Sequence, residues 1–207
     1  MSTSVEAAAA VAEREAVRAA DEAMARYADG HDQSFDAIFT LVAPRLLRFL
    51  RRLCGREELA QDLLQETLLK MHQARGAFRP GAAVLPWSYT IARNAFLDSA
   101  RSRKRAPVSL TSPEEGGPPE PAVGADAESS VLAREAARAV QRALAAMTDA
   151  RREAFVLLRF EGMSVADAAE ILGASENAVK LRAFQAYEAI RAELDRLEKT
   201  TGRSVSS

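Results

Sequence analysis

One cysteine, two histidines and three tyrosines are all that this 207-residue chain offers to most familiar active-site chemistries. Cys54 has no partner for an internal disulfide, which favours a reducing, intracellular setting and the role of a small buried apolar residue over a thiol sensor. His31 and His72 have no neighbours at metal-ligand spacing, so no metal site is expected. No nucleophile–base pair and no glycine-rich phosphate loop is present, so the expectation is a protein that is not an enzyme and has no cofactor. Uninterrupted apolar runs of membrane-spanning length are missing, and the alanine-rich start is broken by Glu13, Arg14, Glu15 and Arg18, unlike a signal peptide. A cytoplasmic protein without membrane insertion is expected. Runs rich in Val, Ile and Thr are also scarce, which argues against sheet.

What the chain has in abundance is Ala, Leu, Arg and Glu, a composition of high helix propensity, with 48% hydrophobic residues overall. The expected fold is all-α. The formal net charge of −1 conceals strong segregation. From Arg45 to Arg56 there are five arginines and no acid, and four of residues 101–105 are basic. Between Ala106 and Ser130 the only charges are Glu114, Glu115, Glu120, Asp126 and Glu128. Nucleic-acid binding depends on local patches, so the near-neutral total does not exclude it.

Pro and Gly crowd into that same acidic stretch, which reads as a linker over 106–130 joining two small helical domains, 33–105 and 131–198. Residues 1–32 and 199–207 read as tails. In the first domain Ser34 is a candidate N-cap for a helix carrying Phe35, Ile38, Phe39 and Val42. The spacing of Leu59, Leu63, Thr67 and Met71 predicts a second helix over 57–73, with Asp62, Gln65, Glu66 and Lys70 mostly on its other side. Gly76, Pro80, Gly81 and Pro86 mark a loop. A helix from about 87 to 105 follows, apolar first and basic later.

The second domain holds the clearest local motif, "EGMSVADAAEILGASENAVKLRAF". Gly162 ends one helix, Ser164 caps a short helix over 165–172, Gly173 makes the turn, and Ser175 caps a longer helix. Two helices joined by a glycine turn match the DNA-binding helix-turn-helix, and equally an ordinary helical corner. The open side of the longer helix carries Asn177, Lys180, Leu181, Phe184 and Gln185, with Arg182 at its edge. Gln pairs with adenine and Lys with guanine or phosphate, whereas Leu and Phe suit a thymine methyl or a protein partner alike.

"ELAQDLLQETLLKMH", then "WSYTIARNAFLDSARSRKR", then a linker and this helix-turn-helix resemble the sigma-70 family, in its group IV or extracytoplasmic-function (ECF) form. The resemblance spans about residues 33–197. It implies a factor that binds core RNA polymerase, through its β′ and β subunits, and directs promoter recognition, DNA melting and initiation. An anti-sigma factor is the further partner implied. By position in the family's motifs, Asp62, Gln65, Glu66 and Thr67 would contact the polymerase. Trp87, Asn94, Asp98, Arg101, Arg103, Lys104 and Arg105 would address the −10 element, with Trp87 serving as stacking surface or core. Ser175, Asn177, Lys180, Leu181, Arg182, Phe184 and Gln185 would address the −35 element. The loop "ARGAFRPGAAVLPW" corresponds to the family's receiver of a flipped −10 base, yet it is too apolar here to nominate a base-specific residue. Family members commonly have "VKSRLHRA" where this chain has "VKLRAFQA", so Leu181 and Gln185 point to an altered −35 preference. Two alternatives remain at this level: a sigma-like decoy that sequesters an anti-sigma factor, and a stand-alone helix-turn-helix regulator.

Overall fold

The computed structural model describes residues 2–79, 81–105 and 127–204, and every regular element among them is helical. Helices α1 (Ser2–Ala28), α2 (Phe35–Cys54), α3 (Glu57–Ala74) and α4 (Val84–Arg105) belong to one unit. Helices α5 (Ala127–Ala146), α6 (Asp149–Phe155), α7 (Val165–Leu172) and α8 (Glu176–Ser204) belong to a second. Most of the expected linker lies outside the described residues; its last four positions open α5. The C-terminal tail expected from 199 is helical as far as Ser204.

The first unit begins earlier than its sequence pattern suggests. Ala20, Ala23, Met24 and Tyr27 recur at i, i+3, i+4 and i+7 on α1, and all four are buried. Two polar contacts fix where the helix sits. The Asp21 carboxylate accepts the backbone N–H of Val84 at 2.7 Å, satisfying one of the donors that the start of α4 leaves without an intrahelical partner. The Tyr27 hydroxyl is hydrogen-bonded to Nδ1 of His72 on α3. Arg75 stacks over the Tyr27 ring at 5.3 Å, and burial raises the Tyr27 pKa against the lowering effect of that guanidinium. Reading residues 1–32 as a tail is therefore corrected: the C-terminal half of α1 is core.

Helix α2 supplies the largest apolar face, with Ile38, Val42, Leu46, Phe49, Leu50 and Leu53 buried. Phe39, which the sequence pattern groups with them, is exposed. Pro44 lies within the helix; its missing N–H removes the usual donor to the Thr40 carbonyl, a defect placed on the solvent side. Arg45 turns back to pair with Glu13 of α1 and donates to the Leu41 carbonyl, so it is not presented outward. Phe49 meets Tyr89 of α4 edge-on, with ring centroids 5.0 Å apart, and both rings are buried. Pro86, expected in a loop, sits in the first turn of α4, where a helix needs no N–H donor.

In the second unit, Ala143 and Leu144 of α5, Met147 just beyond its end, Phe155 of α6, and Ala186 and Ile190 of α8 form one apolar cluster. Arg152 reaches back to donate to the carbonyls of Leu144 (2.9 Å) and Met147 (3.1 Å), satisfying acceptors around the end of α5. After α6 the chain makes a π turn through Val156–Phe160, and Gly162 (φ 67°) redirects it. Ser164 then accepts the Asp167 N–H at 3.0 Å, the cap its sequence predicts, and α7 follows over the expected residues. Gly173 (φ 58°, ψ 42°) closes α7 in the left-handed conformation. An added Cβ there meets nothing within 4 Å, so Gly173→Ala introduces backbone strain and no clash. Chemical denaturation of the Gly173→Ala protein is expected to show a loss of about 1–2 kcal/mol.

Candidate nucleic-acid and partner interfaces

Helix α3 faces two ways because its buried positions recur with helical period. Ala60, Leu63, Thr67 and Met71 point inward. Thr67 is fully buried, and its hydroxyl donates to the Leu63 carbonyl at 2.6 Å. Its expected place among the polymerase contacts is corrected on that ground: a side chain with no exposed surface cannot meet a partner, and its one donor is used within the helix. Asp62 and Gln65 are exposed, and Glu66 is half-buried. Leu69, one turn beyond Gln65, is 56% exposed and continues the strip. Sequence patterning overlooks it because Leu68 and Leu69 are consecutive, and only geometry shows which one turns outward.

Glu66 is held by Lys70, whose Nζ lies 2.7 Å from Oε1. That hydrogen bond is the main reason the Lys70 pKa is raised, with Asp98 adding to it. Lys70 Nζ also stands 3.7 Å from Oδ2 of Asp98, which links α3 to α4.

On α4, Asn94, Asp98, Arg101 and Arg105 recur at i, i+4, i+7 and i+11 and are all exposed. Trp87 lies on the same side seven residues before Asn94, so the face extends about 27 Å from Trp87 to Arg105. Trp87 itself is half-buried and packs edge-on against Phe78, with centroids 5.2 Å apart; it is anchored at one edge and open at another. Tyr89 is entirely buried, which leaves Trp87 as the aromatic surface of this helix. Arg101 donates to Asp98 at 3.0 Å and Arg103 to Ser99 Oγ at 3.0 Å. The side chain of Lys104 lies outside the described residues.

The second unit brings a different surface together. The Ser175 hydroxyl accepts the Ala178 N–H at 3.3 Å, so its position is set by capping α8. From there Asn177, Lys180, Leu181 and Phe184 are exposed, and Arg182 and Gln185 are half-buried beside them. Lys180 lies 3.5 Å from Glu176, a loose pair within the helix. Leu181 and Phe184 are 57% and 62% exposed, and Tyr187, at 49%, extends the apolar surface by one turn. Tyr187 was not among the sequence candidates; its spacing of seven from Lys180 is the signal that could have found it. Val179, Ala186 and Ile190 on the opposite side are buried, so the frame under this face is intact.

Among the described residues no three His, Cys, Asp or Glu side chains gather as a metal site, and no helix is long and apolar enough to cross a membrane.

Comparison with known proteins matches both units. The family model "Sigma-70 region 2" matches residues 38–106, and "Sigma-70, region 4" matches residues 137–190. The RNA polymerase sigma factor CarQ of Myxococcus xanthus is 35% identical over 180 residues, covering 87% of this chain and 100% of that protein. The chain belongs to the sigma-70 family. It is an RNA polymerase sigma factor of the ECF type. The ECF sigma factor SigM of Mycobacterium tuberculosis is 38% identical over 176 residues, covering 85% of this sigma factor and 83% of SigM. Among solved structures, the sigma factor RpoE of Bartonella quintana, in complex with the anti-sigma factor NepR, matches with a TM-score of 0.62 and 25% identity. That match covers 79% of this chain and 98% of RpoE. CnrH, solved with the cytosolic domain of CnrY, matches at a TM-score of 0.65 and 24% identity over 86% of this chain and 98% of that one, a likeness of fold.

Proposed function

We propose that this sigma factor works from the cytoplasm as a non-enzymatic subunit: it docks on core RNA polymerase with one face of α3, opens the −10 element along α4, and reads the −35 element with α8. The observation that carries this reading is the exposure of all three faces on units that match the two family regions in order. Asp62, Gln65 and Glu66 form an acid-and-amide strip that suits a basic, polar surface of the polymerase. Asn94, Asp98, Arg101 and Arg105 line one path, with Trp87 offering an aromatic edge to an unstacked base, and Arg103 adds charge from another side of the same helix end. The arginines hold phosphates, a contribution independent of sequence and sensitive to salt.

On α8, Lys180 and Gln185 make polar contacts to base edges, while Leu181 and Phe184 touch thymine methyls. This assigns the apolar side chains to DNA and gives the chain a thymine-containing −35 preference. An anti-sigma factor, of the kind that accompanies RpoE in its solved complex, is the regulatory partner.

The reading face is tested by Lys180→Ala and Gln185→Ala in promoter selection with the holoenzyme. Each is expected to relax preference at its own −35 position by about tenfold, the discrimination of one good base contact. Unchanged promoter choice with persisting −35 dependence would show that another surface reads this element.

A further inference from the structure

We propose that Lys70 is a positioning residue that couples polymerase docking on α3 to promoter-strand affinity on α4; the inference rests on the surfaces assigned above. Four alternating charges run from one surface to the other: Glu66, Lys70, Asp98 and Arg101. Glu66 lies 2.7 Å from Lys70 Nζ, Asp98 lies 3.7 Å from the same nitrogen, and Arg101 reaches Asp98 at 3.0 Å. Lys70 is the member of this series that bridges the two helices, and it does so from a partly shielded position, with 37% of its side chain exposed.

Asp98 explains why such a bridge matters. It is an acid on the face shared by Asn94, Arg101 and Arg105, where an unneutralised carboxylate repels the phosphates that the arginines attract. Two cations screen it, and one of them, Arg101, is itself a phosphate ligand. When Arg101 turns to a phosphate, the carboxylate is left to Lys70. Yet Lys70 stands closer to Glu66 and has a single ammonium to share. A cationic group of the polymerase that engages Glu66 withdraws the nearer competitor, so the ammonium closes on Asp98 and Arg101 is released to the DNA strand. The linkage is reciprocal: a strand that takes Arg101 draws Lys70 towards Asp98 and leaves Glu66 more available to the polymerase. All four groups are partly or largely exposed, so each pair is weak and easily exchanged, and the coupling amounts to a few-fold.

The test is a charge-reversal-free cycle in the full chain assembled with core polymerase, using a double-to-single-strand fork DNA from a promoter selected out of a random library. Lys70→Met keeps the aliphatic stem and removes the charge. It is expected to weaken fork binding by the holoenzyme roughly threefold to fivefold. In an Asp98→Asn background the same Lys70→Met change should cost little further affinity, because the carboxylate that needed neutralising is gone, and Lys70→Arg alone should bind as the parent does. Two results overturn the proposal: Lys70→Met binding fork DNA as the parent does, or a loss that Asp98→Asn leaves in place, which would make Lys70 a direct DNA contact. A parent chain that binds neither polymerase nor fork DNA overturns the surface assignment itself, a result visible before any variant is compared.

Discussion

Deleting residues 2–28 is expected to abolish the cooperative unfolding transition of the first unit and, with it, transcription. Helix α1 lies outside the 38–106 match to the family region, yet Ala20, Ala23, Met24 and Tyr27 are each no more than 3% exposed. Truncating one buried Met to Ala costs about 2–5 kcal/mol, and a buried aromatic about 3–5 kcal/mol. Losing both, together with the Asp21 acceptor at the start of α4 and the hydrogen bond between Tyr27 and His72, removes an amount comparable to a typical small domain's margin of about 5–15 kcal/mol. Met24→Ala is the milder form of the same experiment and should lower stability by about 2–5 kcal/mol. Thermal melts followed by circular dichroism check both. A deleted protein whose first unit melts as the parent does would return α1 to the status of an appendage.

The second large effect is electrostatic. Replacing Arg101, Arg103 and Arg105 together with Gln is expected to reduce promoter affinity about a hundredfold near 0.1 M salt while leaving the melting transition unchanged. The three side chains are exposed, so their loss opens no cavity. If each neutralises one phosphate, the slope of log affinity against log salt becomes shallower by about 2 to 3, at roughly 0.7 per single-strand and 0.9 per duplex phosphate. Anisotropy of labelled promoter DNA with holoenzyme across a salt series measures both quantities. A parallel slope with a lowered intercept would mean that the arginines do something other than hold phosphates.

Much of this arrangement is legible in the sequence where local chemistry decides the outcome. Ser164 and Gly173 spell out the start and stop of α7 because caps and left-handed turns have narrow residue preferences, and the structure uses both as expected. The open face of α8 follows from its period once Val179 and Ala186 are placed inward. What escaped depends on contacts remote in the chain. The buried stripe of α1 is half alanine and reads as featureless, and its clearest anchor, Asp21 to Val84, joins residues 63 apart. Thr67 illustrates a conflict within one reading. Its period groups it with Leu63 and Met71, its polarity with Glu66, and in the fold the period prevails because the hydroxyl finds a carbonyl within its own helix. Pro86 misleads for a related reason: proline ends a helix in its interior and is tolerated in a first turn. The bridge from Glu66 through Lys70 to Asp98 lies beyond sequence reading altogether, since it requires α3 and α4 to be set side by side.

Run-off transcription with core RNA polymerase, the full chain and a randomised promoter library shows whether this chain directs initiation. Transcripts are expected that depend on the added chain, start downstream of a shared pair of −35 and −10 sequences, and disappear when the −10 sequence is altered. Folded protein that neither binds core polymerase nor supports an initiated transcript would contradict that role.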